Sequence, residues 1–161
     1  MTGDAQFSSD GNYRYWLSRE WAVSNESCAF IMLNPSTATA EKDDPTIRRC
    51  VRFAQRWGYG KLYVANLFAF CTTDPNDLKM AVDPVGVDND QSILAVIDRC
   101  SLTIAAWGVS GAHMNRHGRV LQLISSMGGH LWHLGLSKAG HPMHPLYLPA
   151  DVHPIKWRVD L

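Results

Sequence analysis

Six consecutive apolar residues, 28–33 (CAFIML), stop abruptly at Asn34-Pro35-Ser36, and no other stretch constrains the fold as strongly. The run is too short for a helix, its Phe and Ile favour a strand, and its unbroken apolarity predicts burial on both faces. Pro35 fixes its own φ and biases Asn34 away from the helical region. The chain must turn there, which leaves the Asn34 side chain at the carboxyl end of a central strand. In open α/β sheets that edge is where ligands bind.

Three more apolar runs read as buried strands: 62–68 (LYVANLF), 100–107 (CSLTIAAW) and 130–135 (HLWHLG). Between them the pattern changes to helical spacing. Asp44 is positioned as an N-cap with Pro45 at the first helical position, and Ile47, Val51, Ala54 and Trp57 then share one face until Gly58 and Gly60. A second helix opens at Asp88-Asn89-Asp90 and carries Ile93, Leu94, Val96 and Ile97; a third spans 111–127 and ends at Gly128-Gly129. The order β-α-β-α-β-α-β predicts an α/β fold, a three-layer α-β-α sandwich around a mostly parallel four-stranded sheet. Residues 7–27 hold Tyr13, Tyr15, Trp16, Leu17 and Trp21, followed by the polar run Ser24-Asn25-Glu26-Ser27, and read as an edge strand or hairpin. The length, 161 residues, fits a single domain over 1–161.

Lys plus Arg and Asp plus Glu balance at 15 each, so any site for a polyanion has to be a local patch. There is no apolar run near the roughly 20 residues of a membrane span, and the first residues lack the pattern of a signal peptide. The expectation is a cytoplasmic monomer with no membrane partner. Cys28, Cys50, Cys71 and Cys100 form no C-x-x-C pair and read as reduced, buried thiols, with an iron–sulfur cluster as the alternative. No cofactor and no metal is expected.

Asn66 interrupts the second strand. A buried amide costs about 1–3 kcal/mol when unpaired, so it either bonds to backbone or faces a ligand. Phe68 and Phe70 follow at the strand's end, where a planar ligand can stack. Arg48 and Arg49 come soon after the Asn34 loop and read either as a solvated face or as anion contacts. Beyond the fourth strand, His141-Pro142 and His144-Pro145 make a rigid extended loop that holds an imidazole without a helix. Plain turn chemistry is the alternative there, and a third metal ligand at telling spacing is missing.

Taken together, LNPSTA, DDPTIRRC, WGYG, NLFAF, DPVG, AAWG and GHPMHPLYLP resemble a bacterial and phage family designated domain-of-unknown-function family 1643, over about residues 30–157. The same blocks, in the same order, resemble the motifs of the uracil-DNA glycosylase superfamily. In that superfamily a strand ends in a loop whose acidic or amide residue positions the attacking water, a place that Asn34 with Pro35 and Ser36 would take. A second strand ends in an Asn that reads the base edge, matched by Asn66, with Phe68 or Phe70 as the stacking ring. Trp107 falls in a Leu-Trp-Gly-like block, and a His-Pro loop supplies the histidine that stabilises the departing base. His144-Pro145-Leu146-Tyr147 matches that loop best, with His141-Pro142 as the competing alignment.

The resemblance implies a DNA or nucleotide N-glycosylase acting on a damaged or modified base, with nucleic acid or a nucleotide as partner and a place in DNA repair. Such chemistry on a duplex extrudes the base, stacks it and grips the flanking phosphates, for which Arg48, Arg49, Arg116 and Lys138 are the candidates. Within it, Asn34 and His144 are the catalytic candidates, and Pro35, Ser36, Asn66, Phe68, Phe70, Trp107, His141 and Tyr147 the substrate contacts. An amide orients water but cannot deprotonate it. Two other readings use the same pocket: a non-catalytic module that binds a nucleotide or modified base, and an enzyme acting on a free nucleoside.

Overall fold

In a computed structural model described for residues 1–23 and 25–159, the apolar run becomes β3 (Ser27–Met32), in the middle of the sheet. Ser24 of the expected polar run lies outside the described residues. Cys28, Ala29, Phe30 and Ile31 are each 0% exposed, because alternate residues pack on opposite faces. Cys28, Phe30 and Met32 meet Ile47, Cys50 and Phe53 of α1 (Pro45–Arg56). Ala29 and Ile31 join a second cluster with Ile93 and Val96 of α3 (Asn89–Asp98) and Val120 and Ile124 of α4 (Arg116–Ser126). Fully burying one such side chain is worth about 1.5–3 kcal/mol, so this strand carries much of the apolar stabilisation from both sides.

The remaining strands are β1 (Thr2–Phe7), β2 (Arg14–Glu20), β4 (Lys61–Asn66), β5 (Leu102–Ala105), β6 (Trp132–His133) and β7 (Ile155–Lys156), with a short helix α2 (Pro75–Met80) after β4. They form one sheet in the order β1-β2-β4-β3-β5-β6-β7. The expectation of a mostly parallel four-stranded sheet is corrected here. Among the described residues the fold is mixed α/β with seven strands and four α-helices, and the sheet holds as many antiparallel neighbours as parallel ones. β4, β3, β5 and β6 run parallel, and helices carry the chain from β3 to β4, from β4 to β5 and from β5 to β6. The N-terminal hairpin β1–β2 adds on antiparallel to β4, and β7 pairs antiparallel with β6. Antiparallel additions need no crossover, so short terminal segments can cover both edges of a parallel core.

The third expected helix also differs. Residues Val109–Asn115 form a 3₁₀ segment broken by left-handed Met114 (φ 56°) and Asn115 (φ 52°), and only then does α4 begin. Two non-glycine residues in that region cost energy that regular helical spacing does not reveal. No described helix is long and apolar enough to cross a membrane.

Candidate functional site

Where β3 ends, the chain does not separate from its neighbour. Leu67 N–H donates to Met32 O (2.8 Å), Phe68 N–H to Leu33 O (2.9 Å) and Thr72 N–H to Pro35 O (3.1 Å), so the loops after β3 and β4 stay zipped together. Asn34 completes the zip. Its Nδ2 donates to Thr72 O (2.9 Å), Pro35 O (3.1 Å) and Phe70 O (3.4 Å). Three carbonyl acceptors fix the amide with its NH₂ toward the backbone and leave Oδ1 as the free face, an acceptor only.

A cavity of about 210 Å³ opens beside it, at the carboxyl ends of the parallel strands β3 and β4. Asn34, Pro35, Ser36, Asn66 and His144, five residues singled out from the sequence, line it together. Asn66 is 1% exposed, and its Oδ1 is buried without a hydrogen-bond partner among the described residues. Its backbone is held firmly from behind. Asn89 Nδ2 donates to Asn66 O (2.9 Å) and Leu67 O (3.0 Å), and Arg116 Nε donates to Leu67 O (2.7 Å). Two buried donors therefore fix the segment while the Asn66 amide itself is left to the cavity.

His144 caps the 3₁₀ turn Pro145–Tyr147 by accepting the Leu146 N–H at Nδ1 (3.2 Å). A ring nitrogen that accepts carries no proton, so the neutral ring holds its hydrogen on Nε2. Burial lowers the pKa of this imidazole, an effect partly offset by Asp44. The ring is thus held neutral with an Nε2 donor.

Asp44, Thr72 and Arg14 also line the cavity, and the sequence marks none of them as a site residue. Asp44 is the N-cap of α1, its Oδ1 accepting the Ile47 N–H at 2.8 Å; among the described residues Oδ2 accepts no hydrogen bond, and the carboxylate lines the cavity. Its capping role was legible, whereas its place opposite the Asn34 loop depends on how α1 packs. Thr72 enters through the zipped loop. Arg14, at the start of β2, is 2% exposed and also lines the cavity. Its sequence signal was a charge between the aromatic residues Tyr13 and Tyr15.

The other expected contacts lie elsewhere. Phe68 is fully buried against His113 (5.6 Å between ring centroids) and does not line the cavity. His113, Ser110 and Lys79 instead line a side chamber of about 90 Å³ that shares Asn34 and Thr72. Phe70 meets Tyr13 edge-on at 5.9 Å, Trp107 is buried against Trp157 at 5.7 Å, and His141 lies 6.2 Å from His117. Tyr147 is 79% exposed, its ring beside His144.

Of the expected phosphate contacts, Arg116 is buried in an ion pair with Asp90 (2.6 Å), and Arg49 donates to Leu148 O and lies over the Phe53 ring. Arg48 and Lys138 are exposed and do not line the cavity. A larger cavity of about 450 Å³ opens near the start of β5 and is lined by none of these residues. Among the described residues, no group of three or more His, Cys, Asp or Glu is arranged to hold a metal ion. Cys28 and Cys50 are buried, which pushes their thiols up and makes them inert.

A family model described as "Protein of unknown function (DUF1643)" matches residues 14–146, a span that begins at Arg14 and includes every lining residue named above. No curated protein and no solved structure matches the chain.

Proposed function

The chain belongs to the DUF1643 family, whose description names no reaction, and from the cavity we propose that it hydrolyses the N-glycosidic bond of a nucleotide or of a base in DNA. The observation that carries the reading is the meeting of Asn34, Asn66 and His144 around one small cavity at the carboxyl ends of β3 and β4. These are the residues that the likeness to the uracil-DNA glycosylase superfamily singles out, in the same roles. Under this reading the four parallel strands with helices on both faces are the glycosylase-like core, and the hairpin and β7 are additions to it.

Breaking the bond builds positive charge on the sugar and negative charge on the leaving base, so a donor is needed at the base and an oriented water opposite. His144 Nε2–H is a neutral donor suited to the base. Asn34 Oδ1, with its NH₂ tied to backbone, accepts a hydrogen from the water and aims it. Asp44 supplies what an amide cannot, a carboxylate with one oxygen unused by the helix cap, which takes the water's proton. The Asn66 amide offers both a donor and an acceptor to a base edge, which removes the cost of its unpaired oxygen. At about 210 Å³ the cavity is below the ~300–1,000 Å³ of drug-sized ligand sites, a size that suits a single small nucleotide unit rather than a dinucleotide.

The test is to incubate the protein with mononucleotides and with single- and double-stranded oligonucleotides carrying uracil, mismatched, alkylated, deaminated and hypermodified bases, scoring free base by mass spectrometry. Release from at least one substrate is expected. Binding without release from any of them overturns the hydrolase and leaves a sensor of the same ligand.

A further inference from the structure

Arg14 has no place in the chemistry above, and its situation is unusual. It is 2% exposed, yet no carboxylate among the described residues lies within ion-pair distance. Its Nη1 donates to Ala38 O at 3.0 Å, and its Nε is buried without a hydrogen-bond partner among the described residues. Buried arginines are rarely left unpaired, because the charge has lost its water without gaining a counter-charge. The other buried arginines are compensated: Arg19 pairs with Asp43 (2.8 Å) and Arg116 with Asp90 (2.6 Å). Burial brings the Arg14 pKa down to about 10, which leaves it a cation at neutral pH.

Ser36, Thr46 and Thr73 also line this cavity, as does Thr72, whose hydroxyl accepts the Asp74 N–H at 3.1 Å, and the N-terminus of α1 opens onto it. Asp44, the acidic residue lining it, has one oxygen committed to that N-terminus. The helix's own positive end offsets this carboxylate. Asp44 favours the Arg14 cation only from a distance, and among the described residues no carboxylate pairs with Arg14 directly.

We propose that Arg14 is the anchor for a terminal phosphate, and that the ligand of this cavity is therefore a nucleoside monophosphate rather than an internal nucleotide of a DNA duplex. A guanidinium in a cavity also lined by Ser36, Thr46 and Thr73 suits the oxyanion of a phosphate monoester. Depth favours the monoester over a polymer: a terminal group can reach a 2%-exposed cation inside a cavity of about 210 Å³, whereas a duplex backbone would have to be gripped at the rim. Arg48, Arg49, Arg116 and Lys138 do not line that cavity, and the chain's formal net charge is +0. The base moiety of the ligand rests on the function proposed above; the phosphate site rests on Arg14 alone.

The test is calorimetric titration of the full chain, at low salt, with ribo- and deoxynucleoside 5′-monophosphates, the matching nucleosides, inorganic phosphate and a single-stranded 12-mer. At least one monophosphate is expected to bind tenfold or more tightly than its nucleoside, with inorganic phosphate competing. Arg14→Gln should erase that preference and Arg14→Lys should keep part of it, in variants whose circular dichroism is unchanged. Equal binding of nucleosides and monophosphates by the wild type, no binding of any monophosphate, or a preference that survives in Arg14→Gln overturns the proposal. Tighter binding of the 12-mer than of every monophosphate does so too. Because the readout is binding, a glycosylase reading that fails for lack of base release leaves a measured phosphate preference standing.

Discussion

At the scale of single residues, the site was legible wherever a side chain contradicted its surroundings. Asn34 before a proline, Asn66 inside an apolar strand and His144 before a proline all stood out in the sequence, and all three line one cavity. What the sequence concealed was partnership. It could not show that three carbonyls tie down the Asn34 NH₂, or that Arg14 is buried without a counter-ion. Those bonds lead to a prediction against the obvious activity gain. Although a carboxylate is a better base than an amide, Asn34→Asp sets it against three carbonyl oxygens with no donor. The variant is expected to lose about 1–3 kcal/mol in urea denaturation and to gain no activity; wild-type stability with faster base release would contradict this account of Asn34.

His144 gives a second prediction, whose sign follows from its burial. The folded pKa is lowered, so the unfolded chain binds the proton first as pH falls below the ordinary value of about 6.5. Stability is therefore full above that range and falls as pH drops through it toward the folded pKa. Burial lowers the pKa of His133 as well, so both histidines share the effect. Urea unfolding at about pH 7.5 and 5.5 is expected to show a smaller loss in His144→Gln than in the wild type. An unchanged loss would mean that His144 is not held neutral by burial.

At the scale of elements, the strands were read correctly where apolarity was continuous and poorly where tertiary context decided. β6 keeps two residues, Trp132–His133, of the expected run 130–135, because it sits near an edge and pairs with β5 through one register position. The helix at 111–127 is broken by left-handed Met114 and Asn115, which helical spacing cannot report. α1, by contrast, was legible from its cap onward, and that cap residue, Asp44, also lines the cavity. Removing it with Asp44→Ala is expected to cost about 0.5–2 kcal/mol, whereas Asp44→Ser keeps the cap and most of the stability. If Asp44 serves as the base, both variants lose base release alike, so comparing their urea midpoints with their rates separates the cap from the carboxylate. Full activity in Asp44→Ser would remove Asp44 from the mechanism.

At the scale of the whole molecule, the β-α-β alternation predicted the parallel core, but the count of strands was short. The edge strand or hairpin expected over residues 7–27 is the β1–β2 hairpin, which starts earlier, at Thr2, whereas β7, only two residues long, carries no periodicity to read. The hairpin's effect on the site is direct: β2, running antiparallel to β4, brings Arg14 beside the carboxyl end of that strand, where Arg14 N–H donates to Ala69 O at 2.9 Å. The cavity is thus built by the parallel core together with an antiparallel addition, from residues as far apart as 14 and 144.

Base release through His144 is tested by the yield of free base from the best substrate of the panel with wild type and with folded His144→Ala. The account predicts measurable release by the wild type and a loss of about 10²–10³-fold in the variant, the scale of removing one preorganised donor from a transition state. Free base released as fast by His144→Ala as by the wild type would contradict it.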